Sequence, residues 1–573
     1  MPSHSTAHYF LEGLVDLGID YVFANLGTDH VSLVEELARW DGEGRAHPQL
    51  VLCPHENVAI HMAGGYAALT GKGQAVLVHV DAGTANASMG MHNLFRARLP
   101  VLLMAGRSPH TLRGELLGSR DNYVHFVQDP YDIGSLVRPY VKWEYALTSG
   151  VVTKEVLRRG HALMQSDPTG PVYLSLPRET LAEQWEESAI RAFPEARYGP
   201  VRAGGIDAQA ARRIAAQLLA AENPIAVTSY LGRNPAAVTL LDALARECGM
   251  RVFESNPVYL NIPRTSPCFA GFDARAAMRE ADVGMLLDVD VPWLPKFVPD
   301  NPDTHWIQID VDALKKDFPM WGFATDLRLQ GDCATVLAQV LAIIRAEADA
   351  GFRKRAAARI AGWAAARQAR VQSIAAAAGA PGRVDAIAPN FLCAALNAVL
   401  SEDDIVFNEA IRNTGAVLNQ IARTRAQTYF GLAGGGLGFS GGMALGAKLA
   451  RPHSRVVQIV GDGGFHFSTP ASVYAVAQQY HLPIFTVVLD NGGWQAVKEA
   501  VLRVYPDGAA AASDAFQARL QGEHRHFEQV AAAFGAYGEA VSDPEDVAAA
   551  VGRCLAALDA GRAAVLNVRV TQL

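Results

Sequence analysis

Short apolar runs, each about the length of one β-strand, alternate along this chain with longer amphipathic stretches, and few architectures accept such a pattern. DYVFANLG, QLVLC, QAVLVHV, PVLLMAG and PVYLSLP fall in the first third. NPIAVTS, RVFES, VGMLLDVD and HWIQIDVD lie in the middle, and DIVFNEA, RVVQIVGDG, IFTVVLDN and AAVLNVRV in the last. Strand alternating with helix is the grammar of parallel α/β domains. A single core stops growing near roughly 250–300 residues, and the chain has 573. Three doubly wound parallel sheets are therefore expected.

Two shifts in composition mark the joints. One is the charged stretch 183–205; the other is the Ala/Arg-rich run FRKRAAARIAGWAAARQARVQSIAAAAGAPGR, which stops at Pro381-Gly382. They suggest a first domain over 1–185, a central domain over 200–345, a helical linker over 346–383 and a last domain over 384–573. Ala and Arg favour helix in the linker, and its basic residues read as a solvated face. The first and last domains also echo each other. AGGYAALTGKGQAVLVHVDAGTANAS…RLPVLLMAG and GGMALGAKLARPHSRVVQIVGDGGFHFST…HLPIFTVVLDN share one order of features: a small-residue helix, a strand, a Gly/Asp turn, a helix, and a strand opening on Leu-Pro.

Composition removes some classes of function. The formal charge of −8 leaves no general basic face for phosphate backbones, so no nucleic-acid partner is expected. Apolar runs such as 100–105 are far shorter than the ~20 residues a membrane span needs. Six scattered cysteines without a C-x-x-C pair read as reduced thiols. With no signal peptide visible, the expected location is the cytoplasm.

The sharpest chemical signal is Gly461-Asp462-Gly463-Gly464 after the apolar VVQIV, followed by the helical TPASVYAVAQQY and the strand IFTVVLD, which closes on Asn491-Gly492-Gly493. A strand, a glycine turn and a helix can cradle phosphates with bare N–H groups. A diphosphate also needs a divalent cation with hard oxygen ligands. Asp462 offers a carboxylate, Asn491 a side-chain carbonyl and Gly493 a backbone carbonyl.

These residues resemble the signature of thiamine-diphosphate-dependent enzymes, the family of 2-oxo-acid decarboxylases and acetohydroxyacid synthases. That signature is GDG followed at similar distance by NN; here 26 residues separate Gly463 from Asp490, which stands in place of the first Asn. The resemblance extends over essentially the whole chain. His55-Glu56-Asn57-Val58-Ala59 and the following GYA helix match the family's glutamate segment. This implies that Glu56 hydrogen-bonds N1′ of the aminopyrimidine and favours the tautomer that deprotonates the thiazolium C2. Asp81–Asn86 resembles the Gly-rich turn of the first domain, with Asn86 a cofactor contact. By the match of Ala433–Phe439, Gly435 offers a carbonyl to the 4′-amino group, and Leu437 is the wedge that bends the cofactor. Phe407-Asn408-Glu409 resembles the NE pair of benzoylformate decarboxylase. Gly461, Gly463 and Gly464 complete the cofactor cradle, and Asp462, Asn491 and Gly493 the Mg2+ set. Family likeness also implies a homodimer at least, with a homotetramer expected, because the two cofactor-binding domains meet between chains.

The branch of the family is less constrained. In the match to benzoylformate decarboxylase, His79 falls on an active-site histidine and Thr28 on a serine, so both are candidate proton-handling residues; a core histidine is the alternative for His79. His30 and His55 are further candidates, and Trp494, Ala496 and Val497 follow the metal loop where relatives line the substrate pocket. The middle domain reads ADVGMLLDVDVPWLP where acetohydroxyacid synthases carry an Arg-Phe-Asp-Asp-like FAD stretch, so FAD is not expected. The expected function is a 2-oxo-acid decarboxylase or carboligase acting on a 2-oxo acid, acyloin or aldehyde. A flavin-containing synthase and a non-catalytic cofactor-binding relative are the alternatives.

Overall fold

The structure is a computed structural model that describes residues 2–299, 301–520 and 525–572. Three six-stranded sheets, all parallel, run along the chain as the alternating pattern requires. The first is ordered Gln49–Leu52, Tyr21–Ala24, Gln74–Val78, Val101–Arg107, Val172–Pro177, Glu144–Ala146. The last is ordered Tyr429–Phe430, Ile405–Glu409, Val456–Gly461, Phe485–Asp490, Ala564–Arg569, Tyr537–Val541. Numbered along the chain, both read 2-1-3-4-6-5, so the sequence echo between the end domains is an echo of topology. The central sheet instead reads 3-2-1-4-5-6, the order of dinucleotide-binding domains.

Helix Glu56–Thr70 joins the two end domains. It is buried on nearly every side and built from small residues, as a helix with no solvent face must be. It packs against helix Ser440–Ala450 at backbone contact. A Cβ on Gly65 would lie 2.1 Å from Met443 O, and one on Gly446 2.0 Å from Met62 O. The first turn of one helix and the glycine loop ahead of the other are thereby held together.

The linker forms two helices, Ala350–Gly362 and Ala364–Ala378. Arg353, Lys354 and Arg355 are exposed, as a solvated face requires, but three other arginines turn inward. Arg359 donates to the carbonyls of Ala221, Cys248 and Gly249, Arg367 to Pro267 O and Arg370 to Phe269 O. Carbonyls at the end of helix Pro235–Cys248 need donors, and a guanidinium also suits the negative helix end. Among the described residues, no helix is long and apolar enough to cross a membrane.

Candidate active site at the edges of the first and last sheets

In open α/β sheets, ligands sit beyond the carboxyl ends of the strands, where the strand order reverses. In the last sheet that edge is formed by strands Ile405–Glu409 and Val456–Gly461, with Phe485–Asp490 alongside. Asp462 follows the second strand and Asn491 the third. The glycine turn expected after VVQIV is instead the start of a short helix, Asp462–Phe467. Asp462 sets its first turn: Oδ1 accepts from Gly463 N at 2.8 Å, and Oδ2 accepts from Gly493 N at 2.7 Å. The second bond ties the two halves of the motif together.

The side-chain oxygen of Asn491 lies 2.8 Å from Gly493 O and 3.2 Å from Asp462 Oδ1. Turning the amide over would put its NH2 against both, which is the favoured state without a cation. Three oxygens converging from a carboxylate, an amide and a backbone carbonyl are also the ligand set of a hard divalent cation. Gly493 has φ +135, and a Cβ there would lie 2.1 Å from Ala518 O, so only glycine can present its carbonyl in this way. Burial pushes the Asp462 carboxyl up to about 7, and the neighbouring Asp490 adds to the push. Asp490, the departure from the family Asn, accepts from Arg525 Nε at 2.9 Å and Nη2 at 2.8 Å. Arg525 thus supplies the charge that a buried second carboxylate needs.

Glu409 is buried below this edge. It accepts from Ser440 N at 3.0 Å, and also from Gly438 N and Ser440 Oγ. Burial pushes its carboxyl up to about 7 despite those donors. It therefore anchors the glycine loop rather than facing solvent. Gly435, with φ +109, is exposed, and Leu437 is half-buried. Gly461 ends its strand with open space beside it. Gly464 is demanded by packing, since a Cβ would lie 2.9 Å from Val460 and 3.3 Å from Glu409.

The glycine loop is also fastened to the first domain. Asn93 donates to Gly436 O at 3.0 Å and accepts from Gly436 N at 3.1 Å, while His92 Nε2 lies 3.0 Å from Gly434 O. Asn57 donates to Gly438 O at 3.1 Å. Asn93 belongs to helix Val80–Ala97, which carries Asn86 two turns earlier. Asn86 donates to Glu56 Oε2 at 3.1 Å, so two candidates far apart in sequence meet. Glu56 opens its buried helix behind His55, whose Nδ1 accepts from Asn57 N at 3.0 Å.

His79 caps helix Val80–Ala97 at the same edge of the first sheet, and its Nδ1 is 2.5 Å from Asp29 Oδ1. Thr28 faces His125 Nε2 at 3.5 Å rather than His79. His30 is fully buried; its Nδ1 accepts from Gly27 N at 3.0 Å. Trp494 lies over Gly463, and Ala496 and Val497 are exposed. A cavity of about 360 Å³ opens beside Asn491 and Gln495, walled also by Arg412, Asn413, Gly415 and Gln572. No motif pointed to these wall residues; Arg412, Asn413 and Gly415 have one signal, a position just past the NE pair, and Gln572 has none.

Family models match both ends of the chain. Residues 4–135 fit the N-terminal TPP binding domain of thiamine pyrophosphate enzymes, and residues 413–568 the C-terminal TPP binding domain, together just over half of the chain. The chain belongs to the thiamine pyrophosphate enzymes. Among relatives of this thiamine pyrophosphate enzyme, benzoylformate decarboxylase of Pseudomonas aeruginosa is 24% identical, with 84% of this chain and 85% of the relative covered. An acetolactate synthase large subunit of Escherichia coli (isozyme 3) is also 24% identical, with 99% and 95% covered. In fold, the chain is similar to the thiamine diphosphate-dependent 4-hydroxybenzoylformate decarboxylase of Rhodococcus jostii, with TM-score 0.77, 21% identity and both chains covered completely.

Proposed function

We propose that this protein is a thiamine diphosphate- and Mg2+-dependent enzyme that breaks or makes a carbon–carbon bond beside a carbonyl, as a 2-oxo-acid decarboxylase or carboligase. The observation that carries the reading is the convergence of Asp462, Asn491 and Gly493 oxygens at the carboxyl edge of a sheet whose family binds the cofactor. Asp462, Asn491 and Gly493 O would hold Mg2+ against the diphosphate, with Gly461, Gly463 and Gly464 closing the cradle. Glu56, which accepts from Asn86, would hold a proton at the aminopyrimidine, and Gly435 O and Leu437 would contact the cofactor from the glycine loop. Thiamine diphosphate, when bound, would supply a carbon nucleophile and an electron sink for breaking the bond beside the carbonyl. His79 then gives or takes the proton that completes turnover, through the ring nitrogen not engaged by Asp29. Thr28 lies on the same edge as a substrate contact.

Relatives with decarboxylase names support a 2-oxo acid as substrate: benzoylformate decarboxylase, and a probable 2-ketoarginine decarboxylase of Pseudomonas aeruginosa that is 25% identical. Exposed Leu117, Tyr123, Phe126, Val127 and Tyr131 form an apolar stretch that supports assembly with further copies, a dimer or tetramer. Six buried free cysteines support a reducing, cytoplasmic setting.

A flavin-containing synthase is the second reading, favoured by the 3-2-1-4-5-6 order of the central sheet and an adjoining cavity of about 630 Å³. Against it, the crevice at that sheet's switch point is filled. Lys315 Nζ donates to Tyr230 Oη, Asp290 and Asp310 at 2.5–2.9 Å. Arg98 from the first domain donates to both oxygens of Asp290 and stacks 3.8 Å from the Tyr230 ring. A pyrophosphate placed there would meet buried carboxylates.

The test is to load the protein with thiamine diphosphate and Mg2+ and measure carbon dioxide release from benzoylformate, 4-hydroxybenzoylformate, 2-ketoarginine and pyruvate. Release from at least one, by a colourless protein, is expected. Acetolactate formation with a flavin spectrum that survives desalting would move the protein to the second reading; no release from any would refute the decarboxylase.

A further inference from the structure

Asp29 lies five residues past strand Tyr21–Ala24, at the carboxyl edge of the first sheet, and is 1% exposed. Besides the 2.5 Å contact of its Oδ1 with His79 Nδ1, its Oδ2 accepts from Val80 N at 3.4 Å, and His30 Nε2 lies 3.2 Å from that oxygen. The backbone is shaped around this pair. A Cβ on Gly106 would lie 1.4 Å from Asp29 Oδ2, and one on Gly27 2.0 Å from His79 Nδ1. Val80, a β-branched residue, is held at φ +37 beside them, a conformation that costs about 1–3 kcal/mol. A buried charge, two missing side chains and a strained residue all serve one hydrogen bond.

We propose that Asp29 is the positioning residue for His79: by accepting a hydrogen bond from Nδ1–H it fixes the ring and its tautomer, and leaves Nε2 as the nitrogen that exchanges protons with the substrate. The inference rests on the reading of His79 as the proton relay. Asp29 remains a carboxylate throughout, and the Nδ1 proton stays in place. The proton given up at Nε2 is regained from solvent, to which His79 is 22% exposed and Asp29 almost closed. The Asp29 hydrogen bond holds the His79 imidazole above its ordinary value, against burial. Burial pushes the Asp29 carboxyl up, but the His79 hydrogen bond and the charges of His30 and His79 outweigh it and keep it low. His30, Asp81 of the capped helix and His125 beside Thr28 are the other titratable groups around the pair.

Diethyl pyrocarbonate acylates neutral imidazole, so its rate at His79, followed by peptide mass spectrometry over about pH 5–9, reads that residue's own midpoint. The probe is applied to the full chain with thiamine diphosphate and Mg2+ bound. The wild-type midpoint is expected above 6.5. Asp29→Asn should lower it, because the charge and hydrogen bond that favour the imidazolium are lost, and Asp29→Glu should restore most of the shift. Turnover in Asp29→Asn should fall by ~10²-fold at unchanged cofactor affinity, where a purely structural residue would lower melting temperature and leave the midpoint alone. An unchanged midpoint in Asp29→Asn overturns the pairing. A wild-type midpoint below 6.5 does the same and needs no variant to fold. Normal turnover in His79→Ala, with the midpoint still dependent on Asp29, would instead remove the relay reading and the catalytic role of Asp29 with it.

Discussion

Gly446→Ala adds one methyl group at the joint between the end domains, and the structure sets its cost. The new Cβ would lie 2.0 Å from Met62 O, 2.8 Å from Met62 C and 2.9 Å from Tyr66 N, where ordinary contact begins at 3.4 Å. Helix Ser440–Ala450 must therefore retreat by about 1.4 Å from helix Glu56–Thr70. These neighbours are backbone atoms and cannot swing aside, so the upper end of the overpacking range, about 3 kcal/mol, applies. Ala gains about 1 kcal/mol over Gly in helix propensity, which leaves a net loss of about 2 kcal/mol. For domains of this size that lowers Tm by roughly 4–8 °C. Both helices begin at the cofactor edge, and a displacement near 1 Å there costs ~10²-fold in turnover. Gly362→Ala is the control, because it adds the same methyl to a helix where nothing lies within 4 Å. Differential scanning calorimetry and turnover on both variants make the comparison. A Gly446→Ala protein that melts and turns over like Gly362→Ala would show that the two helices do not depend on backbone contact at Gly446.

Glu56→Gln should keep cofactor affinity and lose most activity, because an amide cannot share the proton; exchange of the bound cofactor's C2 proton with deuterium should slow accordingly, and a wild-type exchange rate would end this role. Glu409 has a carboxyl raised from 4.5 to about 7, so the stability it contributes is complete below pH 4.5 and lost as pH rises through about 7. Glu409→Gln cannot ionise; its Tm relative to wild type should improve from pH 5 to 8, by a change worth about 3 kcal/mol. Parallel melting curves across that range would contradict it.

The fold was legible wherever a strand is covered on both faces. Central strands such as Val76–Val78 or Val456–Val460 are buried residue after residue and stand out as apolar runs. Most edge strands do not, although Gln49–Leu52 stands out as the run QLVLC. Glu144–Ala146, Phe269–Gly271 and Tyr429–Phe430 are too short to form a run, and Leu327–Gln330 and Tyr537–Val541 are half-exposed. The cofactor signature was readable because glycine and oxygen ligands must follow particular strands at particular distances. Asp29, Asn93 and Arg412 escaped notice for the opposite reason. Each acts through a partner 50, 343 or 87 residues away, and such pairings leave no local pattern.

Calorimetric titration of thiamine diphosphate into the protein, with and without Mg2+, reads the cation site of Asp462, Asn491 and Gly493 itself. Wild type should bind the cofactor tightly only with the divalent cation present. Asp462→Ala should abolish that Mg2+-dependent binding, because the carboxylate that accepts from Gly463 N and Gly493 N, and that would hold the cation, is gone. Unchanged affinity in Asp462→Ala, or wild-type binding indifferent to Mg2+, would mean that these oxygens hold no cation for the diphosphate.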